Sequence, residues 1–293
     1  MGKYNYTVKL EDEGLTINQI LRANYKFSAR FKTKMKYQSL VDLNDTPTPG
    51  YIRPVAGDII SVRLPEESSN FTPEDIPLDI LYEDEDLLII NKQAGIIVHP
   101  THGHPEHTLA NGIMKYILDN DLKFKIRFAN RIDMDTTGIV IACKNSNSQD
   151  HITKQMHAGT IIKKYIALVH GIIDKDMHID LPVGRPSMED VRRGVMLEGG
   201  KEAVTDVKVI KKFDEYTFVE LTIHTGRTHQ IRVHLSHIGH PIVGDELYGG
   251  KTDLISRQAL HAYYISFTHP MTGKQLEIEA PIPKDMKLLI GNY

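Results

Sequence analysis

The 293-residue sequence contains no tryptophan, one cysteine and no long apolar run. Because the lone Cys143 cannot form an internal disulfide, the sequence predicts a protein of a reducing compartment. No stretch reaches the roughly 18 apolar residues that a membrane-spanning helix needs. The N-terminal Met-Gly-Lys-Tyr-Asn-Tyr also lacks the apolar core of a signal peptide. We therefore expect a cytoplasmic protein without a membrane segment.

Charge is distributed unevenly along the chain. The net charge of −3 excludes a uniformly basic binder, and the 41% hydrophobic and 25% charged fractions are those of an ordinary globular protein. Residues 21–40 nevertheless contain six cations, no acidic residue and four interleaved aromatic side chains. This pattern is typical of nucleic-acid-binding surfaces, although a solvated helix face would have a similar composition. The cations are Arg22, Lys26, Arg30, Lys32, Lys34 and Lys36.

The order of predicted elements indicates two unequal domains. Residues 65–77 contain three prolines and four acidic residues without periodicity, which predicts a linker between a domain at 1–64 and one at 78–293. Predicted strands outnumber helices and are mostly joined by hairpins. We therefore expect an α+β fold, with a mixed, mostly antiparallel sheet, peripheral helices and loops, and a small α/β N-terminal domain.

A polar turn at residues 130–138 runs directly into the apolar segment 139–143. That segment is short and rich in β-branched residues, so we predict a buried strand. The turn contains Arg131, Asp133 and Asp135, whose charges would be costly to bury unless they are paired or face a cleft. A catalytic turn has this character. The alternative is a surface turn in which Arg131 and Asp133 form a weak pair.

Two further side chains are candidates for the same site. Tyr165 projects from a predicted central strand, although a core tyrosine with a satisfied hydroxyl fits the same pattern. Arg232 follows Thr228, a predicted N-cap, and lies beside the apolar stripe of a predicted helix. It would then point along the rim of the core, where it can reach a carboxylate at a neighbouring strand end. The alternative is an ordinary surface arginine.

Four histidines in a Gly/Pro-containing loop raise the possibility of a metal site, since imidazole is a common zinc ligand. The loop has no nearby cysteine and no His-Glu-x-x-His pattern, so we favour no metal. The four are His99, His102, His104 and His107.

Four separated motifs together resemble the RluA/RluD-type pseudouridine synthases, in the right order over residues 78 to 285. Asn130-Arg-Ile-Asp-Met-Asp-Thr-Thr-Gly138 resembles the His-Arg-Leu-Asp-x-x-Thr-Ser/Thr-Gly signature, and Ile90-Asn-Lys-Gln-Ala-Gly-Ile-Ile-Val-His-Pro100 resembles the first motif. Lys163-Lys-Tyr-Ile-Ala-Leu-Val-His-Gly171 and Thr225-Gly-Arg-Thr-His-Gln-Ile-Arg-Val-His-Leu235 resemble the tyrosine and arginine motifs. Residues 1–64 more loosely resemble an S4-type RNA-binding domain.

The resemblance implies an enzyme that isomerises uridine to pseudouridine in structured RNA without a cofactor or metal. It makes Asp133 the catalytic nucleophile, places Tyr165 against the target base and pairs Arg232 with Asp133. We lean towards ribosomal RNA over transfer RNA, and expect a monomer without an obligate protein partner. The predicted RNA-binding residues are Arg131, Arg227, Arg30, Lys32, Lys34 and Lys36.

Two residues depart from the family pattern, since Asn130 stands where histidine is common and Gln93 where proline is. Three other functions compete with the isomerase. One is a metal-dependent hydrolase built on the histidine loop, and another is a glycosidase or nucleosidase using Asp133 with Asp135. The third is a non-catalytic RNA-binding protein. Attack of Asp133 at C1′, attack at C6 and a glycal route all stay open.

Overall fold

The computed structural model describes residues 3–65, 67–101, 103–187 and 189–291. In chain order the strands are β1 Lys3–Thr7, β2 Val41–Leu43, β3 Thr46–Pro47, β4 Ile59–Arg63, β5 Asp79–Glu83, β6 Leu87–Lys92, β7 Arg127–Phe128, β8 Thr137–Cys143, β9 Ile162–His170, β10 Met177–Asp180, β11 Val183–Gly184, β12 Gly194–Val195, β13 Val204–Lys212, β14 Tyr216–Ile223, β15 Leu260–Thr268 and β16 Gln275–Glu279. The α-helices are α1 Ile17–Asn24, α2 Ala29–Tyr37, α3 Leu109–Asp119, α4 Ser146–His157, α5 Gln230–His237 and α6 Lys284–Ile290.

The N-terminal region forms its own four-stranded antiparallel sheet in the order β1-β4-β2-β3. Thr16 begins α1 with a capping box to Gln19, and the Ser28 hydroxyl caps α2 by accepting from the Phe31 N–H. Both helices bury their apolar faces in a cluster with the sheet. Met271, from the far end of the chain, also lies in that cluster. The division of the chain into two domains stays a prediction.

The large sheet has ten strands, with the order β10-β13-β14-β9-β15-β8-β6-β5 and with β16 and β7 paired to β15 and β8. Among the described strands, β8 and β15 form the one parallel pair. All seven residues of β8 are buried, and alternate side chains enter different apolar clusters. The prediction of a fully buried strand is therefore confirmed, as is the mixed, mostly antiparallel α+β fold.

Gly138 allows the polar turn to enter the sheet. It has φ +114°, a conformation that other residues rarely adopt, and a Cβ there would lie 2.2 Å from the Ala262 carbonyl oxygen. The close approach of β8 and β15 therefore requires glycine at the end of the turn.

Helices cover both faces of this sheet. Helices α3, α5 and α6 contribute to the larger apolar cluster, and α4 contributes Ile152 to the cluster on the other face. None of the described helices has the length and apolar character needed to cross a membrane. The segment 65–77 contains no helix or strand in its described part. It is nevertheless packed on the protein, since Ser69 is buried and its hydroxyl accepts from the Ile126 N–H.

The prediction that Thr228 is the N-cap of α5 was wrong. Helix α5 begins after His229, which has a left-handed φ of 58°. Helix α4 is capped by Asn145, whose side chain accepts from the Ser148 N–H. Residues 181–201 contain the antiparallel pair β11 and β12.

Candidate active site

A cleft of about 860 Å³ opens at the turn that precedes β8. Its charged lining is strongly cationic, with eight cations and two carboxylates in a chain of net charge −3. Such segregation gives an acidic protein a local surface suited to a polyanion. The charged side chains of the lining are Arg30, Lys34, Lys125, Arg127, Arg131, Lys163, Arg227, Arg232, Glu67 and Asp133.

Asp133 presents its carboxylate to this cleft from a hydrogen-bonded turn, in which the Thr136 N–H donates to the Asp133 carbonyl. The side chain is 25% exposed, so a ligand in the cleft can reach it. Arg232 Nη1 donates to Asp133 Oδ2 over 3.1 Å, and His229 Nε2 lies 3.9 Å from the same oxygen. The structure therefore brings Asp133 and Arg232 together as the sequence predicts. Asp135 does not line the cleft, so it does not form a carboxylate pair with Asp133 there.

Arg232 is held by a second carboxylate that sequence reasoning missed. Asp245 accepts from Arg232 Nε over 2.7 Å and from Nη2 over 2.8 Å, a bidentate pair that fixes the plane of the guanidinium. The Tyr248 ring also lies 4.9 Å from the guanidinium carbon. Burial works to lower the pKa of Arg232, but Asp245 and then Asp133 raise it above its usual range. Arg232 is thus a fixed cation that turns one N–H towards Asp133.

Tyr165 lies on β9 and lines the same cleft, with 9% of its surface exposed. Burial, and then the charge of Asp133, raise the pKa of its hydroxyl well above the usual value. The phenol is therefore protonated at neutral pH. In this state it offers an aromatic surface and a hydrogen-bond donor, whereas a tyrosinate base would require a change in its surroundings.

Lys92 joins the first motif to the turn that contains Asp133. Its fully buried ammonium donates to the carbonyls of Gln93, Ile96 and Met134 over 2.7, 2.9 and 2.8 Å. Burial lowers the pKa of Lys92 to about 7, opposed by Asp135 and Asp133. The three carbonyls match the three N–H donors of an ammonium. Lys92 therefore fixes the loop and the turn against each other, a role that no spacing in the sequence indicated.

Asn130 and Gln93, the two residues that depart from the family pattern, both form hydrogen bonds with the protein. Asn130 accepts from the Ile141 N–H over 2.8 Å and donates to the Ile139 carbonyl over 3.0 Å, which joins the turn to β8. Gln93 donates to the Pro77 carbonyl over 3.3 Å. Together with the Lys92 contacts, this bond restrains the loop that follows Lys92.

Arg131 and Arg227 both lie at the exposed margin of the cleft. Arg131 Nη2 donates to the Thr228 hydroxyl over 2.9 Å, so Thr228 links the two arginine-containing motifs instead of capping α5. Arg227 Nε donates to the Glu202 carbonyl over 2.8 Å.

The four predicted basic residues of α2 divide between two surfaces. Arg30 and Lys34 line the cleft with Asp133, whereas Lys32 and Lys36 line a separate groove of about 520 Å³. Glu67 connects α2 to the large sheet by pairing with Lys34 at 3.2 Å and with Arg127 on β7 at 2.5 Å. One wall of the cleft that contains Asp133 therefore comes from the N-terminal region.

The described histidines of the 99–107 loop have separate surroundings. His99 packs edge-on against Phe71 and Phe128, and His107 pairs with Glu74 at 2.5 Å. His102 lies outside the described residues. Within the described ranges, the carboxylate and imidazole groups spaced as a metal site are Asp84, Asp86 and His269.

That cluster is already used in hydrogen bonding. Asp86 accepts from the Tyr4 hydroxyl, from Asn145 Nδ2 over 2.8 Å and from the Ser148 hydroxyl over 2.7 Å. His269 Nε2 lies 2.8 Å from Asp84. These partners give the cluster a structural explanation without a metal.

Comparisons with known proteins agree with this geometry. Residues 86–237 match the family model described as RNA pseudouridylate synthase. YlyB of Bacillus subtilis (strain 168), which is named as an uncharacterized RNA pseudouridine synthase, is 43% identical over 242 residues, covering 80% of each chain. The ribosomal large subunit pseudouridine synthase D of Neisseria meningitidis serogroup B (strain ATCC BAA-335 / MC58) is 34% identical over 305 aligned positions, covering 99% of this chain and 82% of that protein.

A solved structure gives the same result. The human RNA pseudouridylate synthase domain containing 1 superposes with a TM-score of 0.58 and 28% identity, covering 70% of this chain and 83% of that one. The match spans half of the chain or more in each comparison, and the relatives share one activity in name. The chain therefore belongs to the RNA pseudouridylate synthase family, whose members are isomerases that act on RNA.

Proposed function

We propose that this isomerase converts specific uridines of large-subunit ribosomal RNA to pseudouridine, with Asp133 as the catalytic nucleophile. The observation that carries the proposal is the Asp133 carboxylate, which lies in a cationic cleft and is hydrogen-bonded by a buried, doubly paired arginine. The ribosomal assignment follows the name of the Neisseria relative, which matches 99% of this chain.

The reaction needs an ionised carboxylate in a closed pocket. Pseudouridine formation breaks the C1′–N1 bond, turns the base and joins C1′ to C5, while the proton leaves C5 and N1 regains one. Burial beneath a bound nucleotide disfavours a charged carboxyl, and a neighbouring guanidinium opposes that effect. Arg232 suits this task because it stays charged and its second carboxylate, Asp245, keeps it in place.

The base must leave its stack to reach Asp133. Extrusion of a nucleotide costs a few kcal/mol, which stacking on an aromatic side chain partly offsets. Tyr165 supplies that aromatic surface in the cleft. Arg131 lies at the exposed margin and donates to the Thr228 hydroxyl, which supports our proposal that it contacts RNA beside the extruded nucleotide.

Helix α2 extends the RNA-binding surface beyond the pocket. Arg30 and Lys34 line the cleft, and Lys32 and Lys36 line the second groove together with Arg22 and the 71%-exposed Tyr51. Cations beside an exposed aromatic ring favour contact with RNA backbone and bases. We propose that the N-terminal region binds RNA through both surfaces.

Pseudouridine mapping of total RNA from cells with and without the protein tests the function. We expect the loss of specific pseudouridines from large-subunit ribosomal RNA, restored by the wild-type gene. Loss from transfer RNA alone would replace the ribosomal assignment with the competing one. Unchanged maps in both RNA classes would contradict the proposed function, and release of free uracil would indicate a nucleosidase.

A further inference from the structure

Lys163 lies on β9 two residues before Tyr165, and the side chains of both residues line the cleft. Residues at this spacing share one face of a strand and lie about 7 Å apart along it. Lys163 is half-buried. Its ammonium is therefore directed into the same space as the aromatic ring that faces the target base.

The neighbouring Lys164 has a different environment. It does not line the cleft, and its ammonium pairs with Glu220 at 3.3 Å and lies 5.6 Å from the centre of the Tyr264 ring. The strand thus carries two adjacent lysines, and protein groups on the opposite face neutralise Lys164. Lys164 is therefore a control for the effect of Lys163.

The charge of Lys163 is not balanced by a carboxylate of the described residues. Over the described ranges, its ammonium has neither a hydrogen bond nor an ion pair. Burial lowers the pKa of Lys163, and no carboxylate opposes the shift. The other buried cations of this site have protein partners, because Arg232 has two carboxylates and Lys92 has three carbonyls.

A partly desolvated ammonium without a partner is costly unless an anion completes the site. Asp133 does not fill this role, because its carboxylate pairs with Arg232 and forms no ion pair with Lys163. The cleft is cationic and belongs to an enzyme that acts on RNA. Backbone phosphate is therefore the anion that a substrate brings to this position.

We propose that Lys163 binds a phosphate of the substrate RNA next to the nucleotide that Tyr165 faces. The inference rests on the proposed function, because it places the extruded uridine in this cleft. Phosphate contacts fix the register of a nucleic acid without reading its sequence. Lys163 therefore holds the RNA in position and takes no part in bond breaking at C1′.

The test measures RNA affinity as a function of salt for the full-length chain, with an in vitro transcript of large-subunit ribosomal RNA as the probe. All proteins carry Asp133→Asn, so that turnover does not alter the RNA. Lys163→Met keeps the apolar stem, Lys163→Arg keeps the charge, and Lys164→Met is the matched control. We expect Lys163→Met to weaken binding about tenfold and to reduce the slope of log K against log salt by about 0.7 to 0.9, the value for one lost phosphate contact.

The arginine variant should retain the wild-type slope, and Lys164→Met should leave both slope and affinity within twofold. An unchanged slope in Lys163→Met, or an equal loss in Lys164→Met, would overturn the proposal. If Lys163→Met does not fold, acetylation of the wild-type protein with and without the transcript decides the question. RNA should protect Lys163, and undiminished acetylation would contradict the contact.

Pseudouridine formation by the wild-type protein on the same transcript is measured in parallel. Absence of product with a Lys163-dependent salt slope would remove the ribosomal function and retain the phosphate contact. If product forms and the slope does not depend on Lys163, the ribosomal function is retained and the phosphate contact is removed.

Discussion

Arg232 stands between two carboxylates with different accessibility. Asp245 is 1% exposed and accepts two N–H groups from one edge of the guanidinium, whereas Asp133 is 25% exposed and accepts one N–H. The pair with Asp245 restricts the arginine, and the Asp133 carboxylate remains accessible from the cleft. We infer that Asp245 is a positioning residue that acts through Arg232.

Replacement Asp245→Asn tests this role. The amide cannot neutralise the guanidinium, and removal of one partner from a buried ion pair costs about 3 kcal/mol or more. We expect a lower melting temperature, and about a 10²-fold fall in kcat from misplacement of Arg232 at temperatures where the variant is folded. The exposed Asp253→Asn is the control. A folded Asp245→Asn variant with wild-type kcat would show that Asp245 does not position Arg232.

The sequence allowed some of these residues to be predicted and concealed others. Asp133 lies in a polar turn ahead of an apolar strand, so its unusual position is visible in the local pattern. Asp245 lies thirteen residues beyond Arg232 in a loop, and only the folded chain returns it to α5. Lys163 and Lys164 are indistinguishable in sequence, because the carboxylate that separates them, Glu220, comes from another strand.

At the scale of elements, the parallel contact between β8 and β15 positions the turn at residues 130–138. His261 on β15 lies opposite Thr137 at the start of β8. Its Nε2 lies 3.3 Å from the Ala280 carbonyl, which can only accept, so Nε2 carries the proton and Nδ1 accepts from the Thr137 hydroxyl over 2.8 Å. This neutral imidazole joins β8, β15 and the segment after β16.

The same arrangement predicts sensitivity to acid. Burial lowers the pKa of His261 from 6.5 to about 4. Between pH 4 and 6.5 the unfolded state therefore binds a proton that the folded state does not, so stability falls as the pH is lowered through this window. The full effect of His261 is about 3 kcal/mol.

Denaturant unfolding at pH 7.5, 5.5 and 4.5 measures this loss. Because glutamine does not titrate, His261→Gln should be less stable than wild type at pH 7.5, and the difference should shrink towards pH 4. Other groups titrate equally in both proteins. Parallel stability curves would show that His261 is not the group responsible.

Element boundaries could be predicted where the sequence has a clear apolar run. They could not be predicted where contacts between distant residues decide them. Strand β8 begins two residues before the predicted segment 139–143 and ends with it. The predicted start of α5 was wrong. The Thr228 hydroxyl, a good N-cap in isolation, accepts a hydrogen bond from Arg131 of another motif instead. Strands β11 and β12 are two residues each, too short for any periodicity to indicate them.

At the scale of the whole molecule, the N-terminal region and the large sheet share polar and apolar contacts. Met271 is 4% exposed in the N-terminal cluster, Tyr4 donates to Asp86, and the Ser28 N–H donates to Asn147 over 2.6 Å. Glu67 adds an ionic connection from the linker. The proline-rich composition predicted a connector, but it did not indicate that the connector helps to build the cleft.

Deletion of residues 1–64 should weaken or redirect RNA binding without destroying the fold of the large sheet. We expect native-like circular dichroism with a lower melting temperature, because the deletion uncovers Met271 and the Asp86 network. The full-length double variant Arg30→Gln/Lys34→Gln separates the two effects, since it removes cleft cations and leaves the core intact. Unchanged affinity and site choice in both proteins would contradict an RNA-binding role for this region.

The pseudouridine yield of purified Asp133→Asn protein on a substrate transcript tests most directly whether catalysis depends on the Asp133 carboxylate. Asp135→Asn, two residues away and outside the cleft lining, is the control. Because covalent catalysis depends on the nucleophile, we predict at least about a 10⁴-fold loss of turnover in Asp133→Asn. RNA affinity should be nearly unchanged, and Asp135→Asn should remain active within tenfold of wild type. Wild-type pseudouridine yield from the Asp133→Asn protein would contradict the account.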